Sequence, residues 1–545
     1  MDLEAGRYSG QASRDEKPDY KVNDVDIKPP YTIENGPVVG EVVNASGHVQ
    51  ELERNFSVLS ACAVGICVGN TWAAIGGSIV VAIYNGGPPG VLYELIADSF
   101  FYWLVAACVA ELASAIPSSA GVYHWASITG GPKYGRIIGW FAGWWNLFAW
   151  IFGAASMTSI LANLTLGMWG LMHPSFVPQQ WHTFVVYIIV TLSCCSVVLF
   201  WNSGLPRLNE FGLFFTLAGV FVTILVCAIM PSTTGEGYAS DDFVWKDWQN
   251  QTGYTSDGFV FLAGMLNAAF AVGTPDCIAH LAEEIPQPRI NVPKAIAAQM
   301  VVGFITAFCY LISIFYGLSD MDALLNNTYT TPLAEVYHQA TSSRAGACGL
   351  LVLVFMPCVG ACIGTYITSG RMLWTLARDG ATPFSDTLGR ISPTHKNPFN
   401  ATLVCGIFVT VLGCIYVGSS TAFNAFVGSF VVLSSSSYLA AILPHLLSRR
   451  QYVEPGPFYM KGALGTVILS VACAYIAVFV VIFCFPTSMP VSAENMNYAC
   501  VITGGLTVIV GAWWLWKDKR GYVGPRTVVE EERSGSVVGE KTSMG

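Results

Sequence analysis

FVFLAGMLNAAFAVGTPDCIAHLAEEIPQPR, Phe259 to Arg289, is the stretch that decides how this 545-residue chain folds. It begins as an apolar run long enough to cross a bilayer and breaks near its middle at Gly273-Thr274-Pro275. Asp276 follows at once, and the run then resumes toward a polar end at Glu283, Glu284 and Arg289. Pro275 removes a backbone donor and Gly273 imposes no side-chain restraint, so carbonyls and amides near the membrane centre lose their helical partners. Hydrocarbon offers no replacement. The break is therefore read as lining a watery cavity where freed backbone groups and Asp276 meet a solute, the arrangement of secondary transporters built on discontinuous helices.

The rest of the composition agrees. Hydrophobic residues make up 53% of the chain and charged residues 11%, with 54 glycines and a mean hydropathy of +0.52. A soluble domain carries about 25% charge, so the class is an all-α polytopic membrane protein. Most of the 16 cysteines fall inside apolar runs, which suits helix packing and gives neither a zinc pattern nor a disulfide framework. The net charge of −9 comes with no basic stripe for nucleic acid. Walker, dinucleotide, HExxH and Ser-His-Asp patterns are missing from the sequence, so no catalytic set, metal or cofactor is expected.

Twelve crossings are predicted: Phe56–Tyr84, Val91–Ala115, Ile137–Leu161, Trp181–Trp201, Leu208–Met230, Phe259–Glu284, Pro293–Gly317, Cys348–Leu376, Phe399–Val417, Phe423–Leu447, Leu464–Phe485 and Tyr498–Trp516. Loops on the side of the tails hold twelve basic residues and the opposite loops two, Lys246 and Arg344, so both termini are expected in the cytoplasm. The organisation follows as a disordered tail over residues 1–55, a five-crossing unit over 56–230, an outer loop over 231–257, a second five-crossing unit over 258–447, two further crossings within 448–516, and a tail over 517–545. Lys17, Lys21 and Lys28 in the first tail read as modification sites or as mere solubilising charge. The outer loops carry Asn250-Gln251-Thr252 and Asn326-Asn327-Thr328, triplets of the glycosylation type that agree with this topology.

Crossing 1 has its own interruption at Gly69-Asn70-Thr71-Trp72, five crossings before that of crossing 6. Five is odd, so the two units enter the membrane in opposite senses, an inverted repeat that pairs broken helices across a central site. Glycines in crossing 1 also fit plain close packing between helices. An acidic group at membrane depth costs about 2.5–3.5 kcal/mol, so each asks for a reason. Asp276 reads as a cation or proton site, or as a cap on freed amides. Glu94 and Asp98 share a helix face and read as lining a wetted outer vestibule. Glu111, Glu283, Glu284 and Arg289 read as an inner gate of ion pairs, or as interface charges, with Lys133, Arg136 and Lys294 near them. His280, one turn past Asp276, is a candidate proton shuttle or a packed histidine. Thr365, Thr368 and Ser369 in crossing 8 offer hydroxyls to an ion or to their own helix. Aromatic faces attract ammonium groups, which singles out Trp72, Trp144, Trp145 and Phe270 at the inferred midplane. The substrate site is thus expected at Gly69, Asn70, Thr71, Trp72, Trp144, Phe270, Gly273, Thr274 and Asp276.

Two segments carry a family likeness. Ala110 to Trp125 (AELASAIPSSAGVYHW), with Gly-Gly-Pro at 86–88 before it, resembles the end of crossing 2 in fungal members of the amino acid-polyamine-organocation superfamily. Phe270 to Glu284 followed by IPQPR and Val292-Pro293-Lys294-Ala295 resembles their crossing 6 and its inner loop. Within the superfamily the chain is most similar to the fungal amino acid/choline transporter family, above all its choline permeases. That resemblance implies a LeuT-type fold of five plus five inverted crossings and two peripheral ones. It also implies alternating access around crossings 1 and 6, with the substrate held by Gly69 to Trp72 and Phe270 to Asp276. Some proton-coupled relatives place a lysine in crossing 5. Here Leu208 to Met230 has none and offers Asn209 and Glu210 instead. The expected activity is import of choline or a related amine across the plasma membrane, with a vacuolar location as the alternative and a proton gradient as the driver. The alternatives are an amino acid such as 4-aminobutyrate, a polyamine, or a non-transporting nutrient sensor. The short, plain tails favour transport over sensing.

Overall fold

The computed structural model describes residues 57–234, 237–325, 329–415, 421–493 and 495–525. The first tail with Lys17, Lys21 and Lys28, the Asn326-Asn327-Thr328 triplet and residues 526–545 lie outside the described residues.

Helix α1 (Val58–Val68) starts in a reciprocal cap between Ser57 and Ser60. It stops at Gly69, and α2 (Thr71–Gly77) restarts after Asn70. There follow β1 (Asn85–Gly86), α3 (Gly87–Ala115), α4 (Val122–Thr129), α5 (Gly131–Met172), α6 (Gln180–Phe200) and α7 (Leu205–Thr234). The outer loop folds into α8 (Asp241–Trp245) and β2 (Gln249–Asn250), which pairs antiparallel with β1. Asn250 of the other glycosylation-type triplet donates to the Tyr254 carbonyl (2.9 Å) and to Asp257 (3.0 Å), so its amide nitrogen is already engaged. Next come α9 (Asp257–Val272), α10 (Pro288–Tyr316), α11 (Met321–Leu325), α12 (Pro332–Thr341), α13 (Arg344–Arg378), α14 (Ser385–Leu388) and α15 (Phe399–Gly413). The last three are α16 (Ala422–Leu447), α17 (Gly462–Ile482) and α18 (Ala499–Asp518).

Ten spans among the described residues are long and apolar enough to cross a membrane, counting α1 with α2 as one. The shorter apolar helices α9 and α15 stand where crossings 6 and 9 are expected. Burial sorts the set: the apolar windows of α1–α2, α5 and α16 are 83%, 89% and 78% enclosed by protein, against 11% for α18 and 28% for the α7 span. The broken first crossing therefore runs through the interior, with α5 packed against α16, α13 and α4 beside it. The outer helices turn Phe211, Phe214, Phe221, Val508 and Ile509 outward, as lipid requires.

Three elements depart from the sequence reading. Crossing 3 is the 42-residue helix α5, extended at both ends beyond Ile137–Leu161. Helix α4 lies between crossings 2 and 3, where the sequence reading places no element. After the break, crossing 6 does not resume as an α-helix: residues 275–278 form turns, and a 3-10 segment spans Ala279–Glu284 before Pro286 and Pro288. A proline denies its preceding residue the α region, which limits that segment to a short, tightly wound form.

Candidate transport site

The two interruptions meet on one residue of α10. Gln299, 2% exposed, donates from Nε2 to the Thr274 carbonyl (3.1 Å) and to Thr274 Oγ1 (2.9 Å), and its Oε1 accepts from Cys277 Sγ (3.5 Å). The same side chain lies on Gly69: a Cβ there would stand 2.7 Å from Gln299 Cδ and 2.8 Å from Cγ. One turn on, Gly303 leaves room for Thr71, whose hydroxyl donates to the freed Gly69 carbonyl (3.1 Å). Backbone groups that a membrane cannot solvate are thus satisfied from within. A methyl at Gly69 needs Gln299 to leave Thr274, so Gly69→Ala is expected to cut the uptake rate at least about tenfold at normal surface level, a loss near one buried hydrogen bond. Radiolabelled uptake normalised to surface protein checks this.

Asp276 is fully enclosed, accepts three side-chain hydrogen bonds and meets a fourth polar side chain, His280. Tyr438 of α16 donates to Oδ1 at 2.6 Å, while Asn146 (2.8 Å) and Trp150 (3.2 Å) of α5 donate to Oδ2, which also lies 3.2 Å from His280 Nε2. Hydrogen bonds to a charged group contribute about 1.5–3 kcal/mol each, enough together to offset the desolvation of one carboxylate. All four partners are side chains, so Asp276 does not act as the backbone cap that was one of its two readings.

His280 sharpens the chemistry. Its Nδ1 faces the Ser119 carbonyl oxygen at 3.0 Å, an atom that accepts and never donates, so Nδ1 carries a hydrogen. Nε2 faces Asp276 Oδ2 at 3.2 Å, so the open ring nitrogen and the carboxylate are set against each other.

The aromatic rings divide into two groups. Phe270 meets Phe430 edge-on (5.7 Å), and Phe430 meets Trp150 (5.9 Å), the ring that donates to Asp276. That wall joins α9 and α5 beside Asp276. Trp72 is fully enclosed and packs edge-on against Tyr310 of α10 (5.2 Å) with Gly219 of α7 beneath it. Trp144 contacts Trp140 and Phe148 and lines an apolar groove of about 940 Å³ with Trp513 and Trp516 of α18, a different place from the Asp276 cluster. Asn70, 2% exposed, has no partner for either carboxamide atom among the described residues, and the Trp72 indole nitrogen has none. Polar groups left so at a helix break are suited to a ligand.

The remaining candidates are placed as follows. Thr365, Thr368 and Ser369 donate to carbonyls of their own helix, those of Cys362 (2.6 Å), Gly364 (3.0 Å) and Tyr366 (3.3 Å). Glu284 pairs with Arg371 (2.5 Å) and Glu283 with Arg378 (3.3 Å), both on α13. Glu111 pairs with His445 (3.4 Å) and Arg450 (3.3 Å), and Arg289 donates to the Ser114 carbonyl (3.1 Å). These carboxylates are thus paired with arginines of α13 and of the segment after α16, in place of the expected Lys133, Arg136 and Lys294. Sequence reasoning missed Gln299, Asn146, Trp150, Phe430 and Tyr438, for which a lone polar or aromatic residue in an apolar run is the sole signal.

The family model described as Amino acid permease matches residues 56–506. The chain belongs to the amino acid permease family. A choline transporter of Saccharomyces cerevisiae is 31% identical over 487 residues, covering 88% of the permease and 84% of that protein. The 7-keto 8-aminopelargonic acid transporter of the same yeast is 26% identical, covering 83% of the permease and 90% of the relative. Amino-acid permease BAT1 of Arabidopsis thaliana is also 26% identical, with 88% and 94% covered. Among solved structures, a mutant manganese transporter of Eremococcus coleocola superposes with a TM-score of 0.51 at 14% identity, over 89% of the permease and 97% of that chain, a likeness of fold alone. The permease is therefore a multi-pass membrane transporter of the amino acid-polyamine-organocation superfamily with a LeuT-type fold, acting on a small molecule and not an enzyme.

Proposed function

We propose that the permease imports choline or a related small amine across the plasma membrane by alternating access, with both termini in the cytoplasm. The observation that carries this is a sealed carboxylate, Asp276, set beside the aromatic wall of Phe270, Phe430 and Trp150 where crossing 6 breaks. A quaternary ammonium cannot donate a hydrogen bond and is held by ring faces, each contributing about 2 kcal/mol when desolvated, with a counter-charge nearby. The name of the yeast choline transporter supports that choice.

In this reading Asn70 and the Trp72 indole bind the solute's polar end and Gln299 couples the two breaks. The five-crossing units over 56–230 and 258–447 rock about them. A proton held between Asp276 and His280 makes inward movement responsive to a proton gradient, and the pairs Glu284–Arg371 and Glu283–Arg378 close the inner side. A second reading, an amino acid such as 4-aminobutyrate, is favoured by the orphan carboxamide of Asn70 beside freed backbone amides, since a substrate carboxylate needs donors.

Competition uptake in cells lacking their own permeases, with choline, ethanolamine, 4-aminobutyrate and polyamines, tests the assignment. Choline competing best supports the first reading. Strong competition by 4-aminobutyrate with none by choline replaces it with the second.

A further inference from the structure

Glu94 and Asp98 are not in a vestibule. They are 1% and 0% exposed on α3, deep inside the protein. The Tyr475 hydroxyl of α17 donates to Asp98 Oδ1, whereas both oxygens of Glu94 and Oδ2 of Asp98 have no donor among the described residues. The Glu94 carboxyl fills a notch in α9 made by Gly264: a Cβ there would stand 2.8 Å from Oε2 and nearer still to Oε1. Two carboxylates close together and sealed from water cannot both stay ionised. Taking the permease reading as its ground, the geometry points to a proton-binding site formed by Glu94 and Asp98, separate from the substrate site.

The proton is the ligand that fits. Protonation puts an O–H on one carboxyl and so supplies a donor that these oxygens lack. Hard metal ions gather about six or more oxygens, and the space against α9 is already filled by the carboxyl itself.

The site is linked to the break through the same helix. Tyr102, one turn beyond Asp98, lies 3.0 Å from Ser435 Oγ and 3.4 Å from where a Cβ on Gly273 would stand. Gly273 ends α9, and its carbonyl accepts from Tyr438 (3.2 Å), the residue that holds Asp276. Helix α9 thus rests on Glu94 at Gly264 and on the substrate site at Gly273. Loss of the proton puts a second charge against α9 and drives it from α3, which couples proton release to movement of the broken crossing.

The polar groups on α3 and on the elements packed against it are as follows. From α17 there is Tyr475, and from α3 itself Tyr102. Helix α9 sets Gly264 against Glu94 and carries the neutral Asn267, which accepts from Ser78 (2.5 Å). Helix α16 presents Ser435 and Tyr438. Helix α10 carries Tyr310 and Tyr316, whose hydroxyls are engaged with Tyr337 (2.8 Å) and Asp241 (2.7 Å). Helix α8 carries Asp241 and Asp242, with Lys246 just after it donating to Asp242 (2.7 Å).

Two measurements test the site. In cells lacking their own permeases, Glu94→Gln and Asp98→Asn are each expected to reach the membrane, to respond less than the wild type to acidic external pH, and to accumulate solute to a lower ratio than the wild type. A wild-type pH profile and accumulation ratio in both variants overturns the proposal. On the purified wild-type protein, dicyclohexylcarbodiimide, which adds to protonated carboxyls in apolar surroundings, is expected to label Glu94 or Asp98 with a yield that falls as pH rises, read by peptide mass spectrometry. No labelling at any pH overturns the proposal too. Because labelling needs no substrate, it stands apart from the choline assignment, which fails separately if no solute is taken up by the wild type.

Discussion

Asp276→Asn reduces uptake on the order of a hundredfold while the protein still reaches the membrane. The substitution separates charge from shape. An asparagine oxygen placed where Oδ2 stands still accepts from Asn146 and Trp150, and the Tyr438 hydroxyl turns to accept from the new amide. What disappears is the negative charge that stands against His280 and that, under the proposed function, faces the ammonium. Interactions of a charged group in such a site are worth about 3 kcal/mol, and each 1.36 kcal/mol is tenfold in rate. Asp276→Ala differs in kind. It leaves the three enclosed donors Tyr438, Asn146 and Trp150 without an acceptor, at about 1–3 kcal/mol each, so lost surface protein is expected before lost turnover. Radiolabelled uptake divided by surface biotinylation tells the two apart. An Asp276→Asn protein that transports at the wild-type rate removes Asp276 from the mechanism.

The second large effect concerns the pair of Glu284 and Arg371. Glu284 and Arg371 meet at 2.5 Å with their side chains 3% and 1% exposed. Removing one partner leaves an enclosed charge and costs about 3–5 kcal/mol, so Arg371→Leu and Glu284→Leu are each expected to lower the melting temperature of the purified permease clearly. The double variant is expected to recover most of that loss, since two apolar side chains need no partners and Arg371 Nη2 already lacks one among the described residues. If the pair is a gate as well as a brace, the stable double variant still transports slowly or leaks solute. A double variant as unstable as either single one contradicts the reading of an enclosed pair.

What the sequence reveals here follows from what each feature costs. Asp276 with Gly273 and Pro275 stands out because a charge and a lost backbone bond are both expensive in hydrocarbon, so the central break was legible from the chain alone. Its partners were not. Asn146 and Trp150 are four apart and share a face of α5, whereas Trp144 lies about 160° round that helix from Asn146. Choosing among adjacent tryptophans needs the rotation of the helix, which a crossing that is apolar on every side does not encode. Gln299 and Tyr438 are single polar residues far along the chain, and their meaning rests on which helices neighbour the break. Glu94 and Asp98 show the converse: their spacing was legible, but whether water reaches them depends on α9 and α17, elements distant in sequence.

The central claim is that the interruption of crossing 1 borders a solute pocket that opens in turn to each side. Asn70→Cys places a thiol there at the cost of a carboxamide that has no partner among the described residues. The rate at which a small water-soluble thiol reagent modifies this cysteine, added from outside or from the cytoplasmic side and compared with the parent protein, measures access directly. The account predicts modification from both sides, slowed by the transported solute. A thiol at position 70 that reacts from neither side, or at a rate the solute does not change, contradicts it.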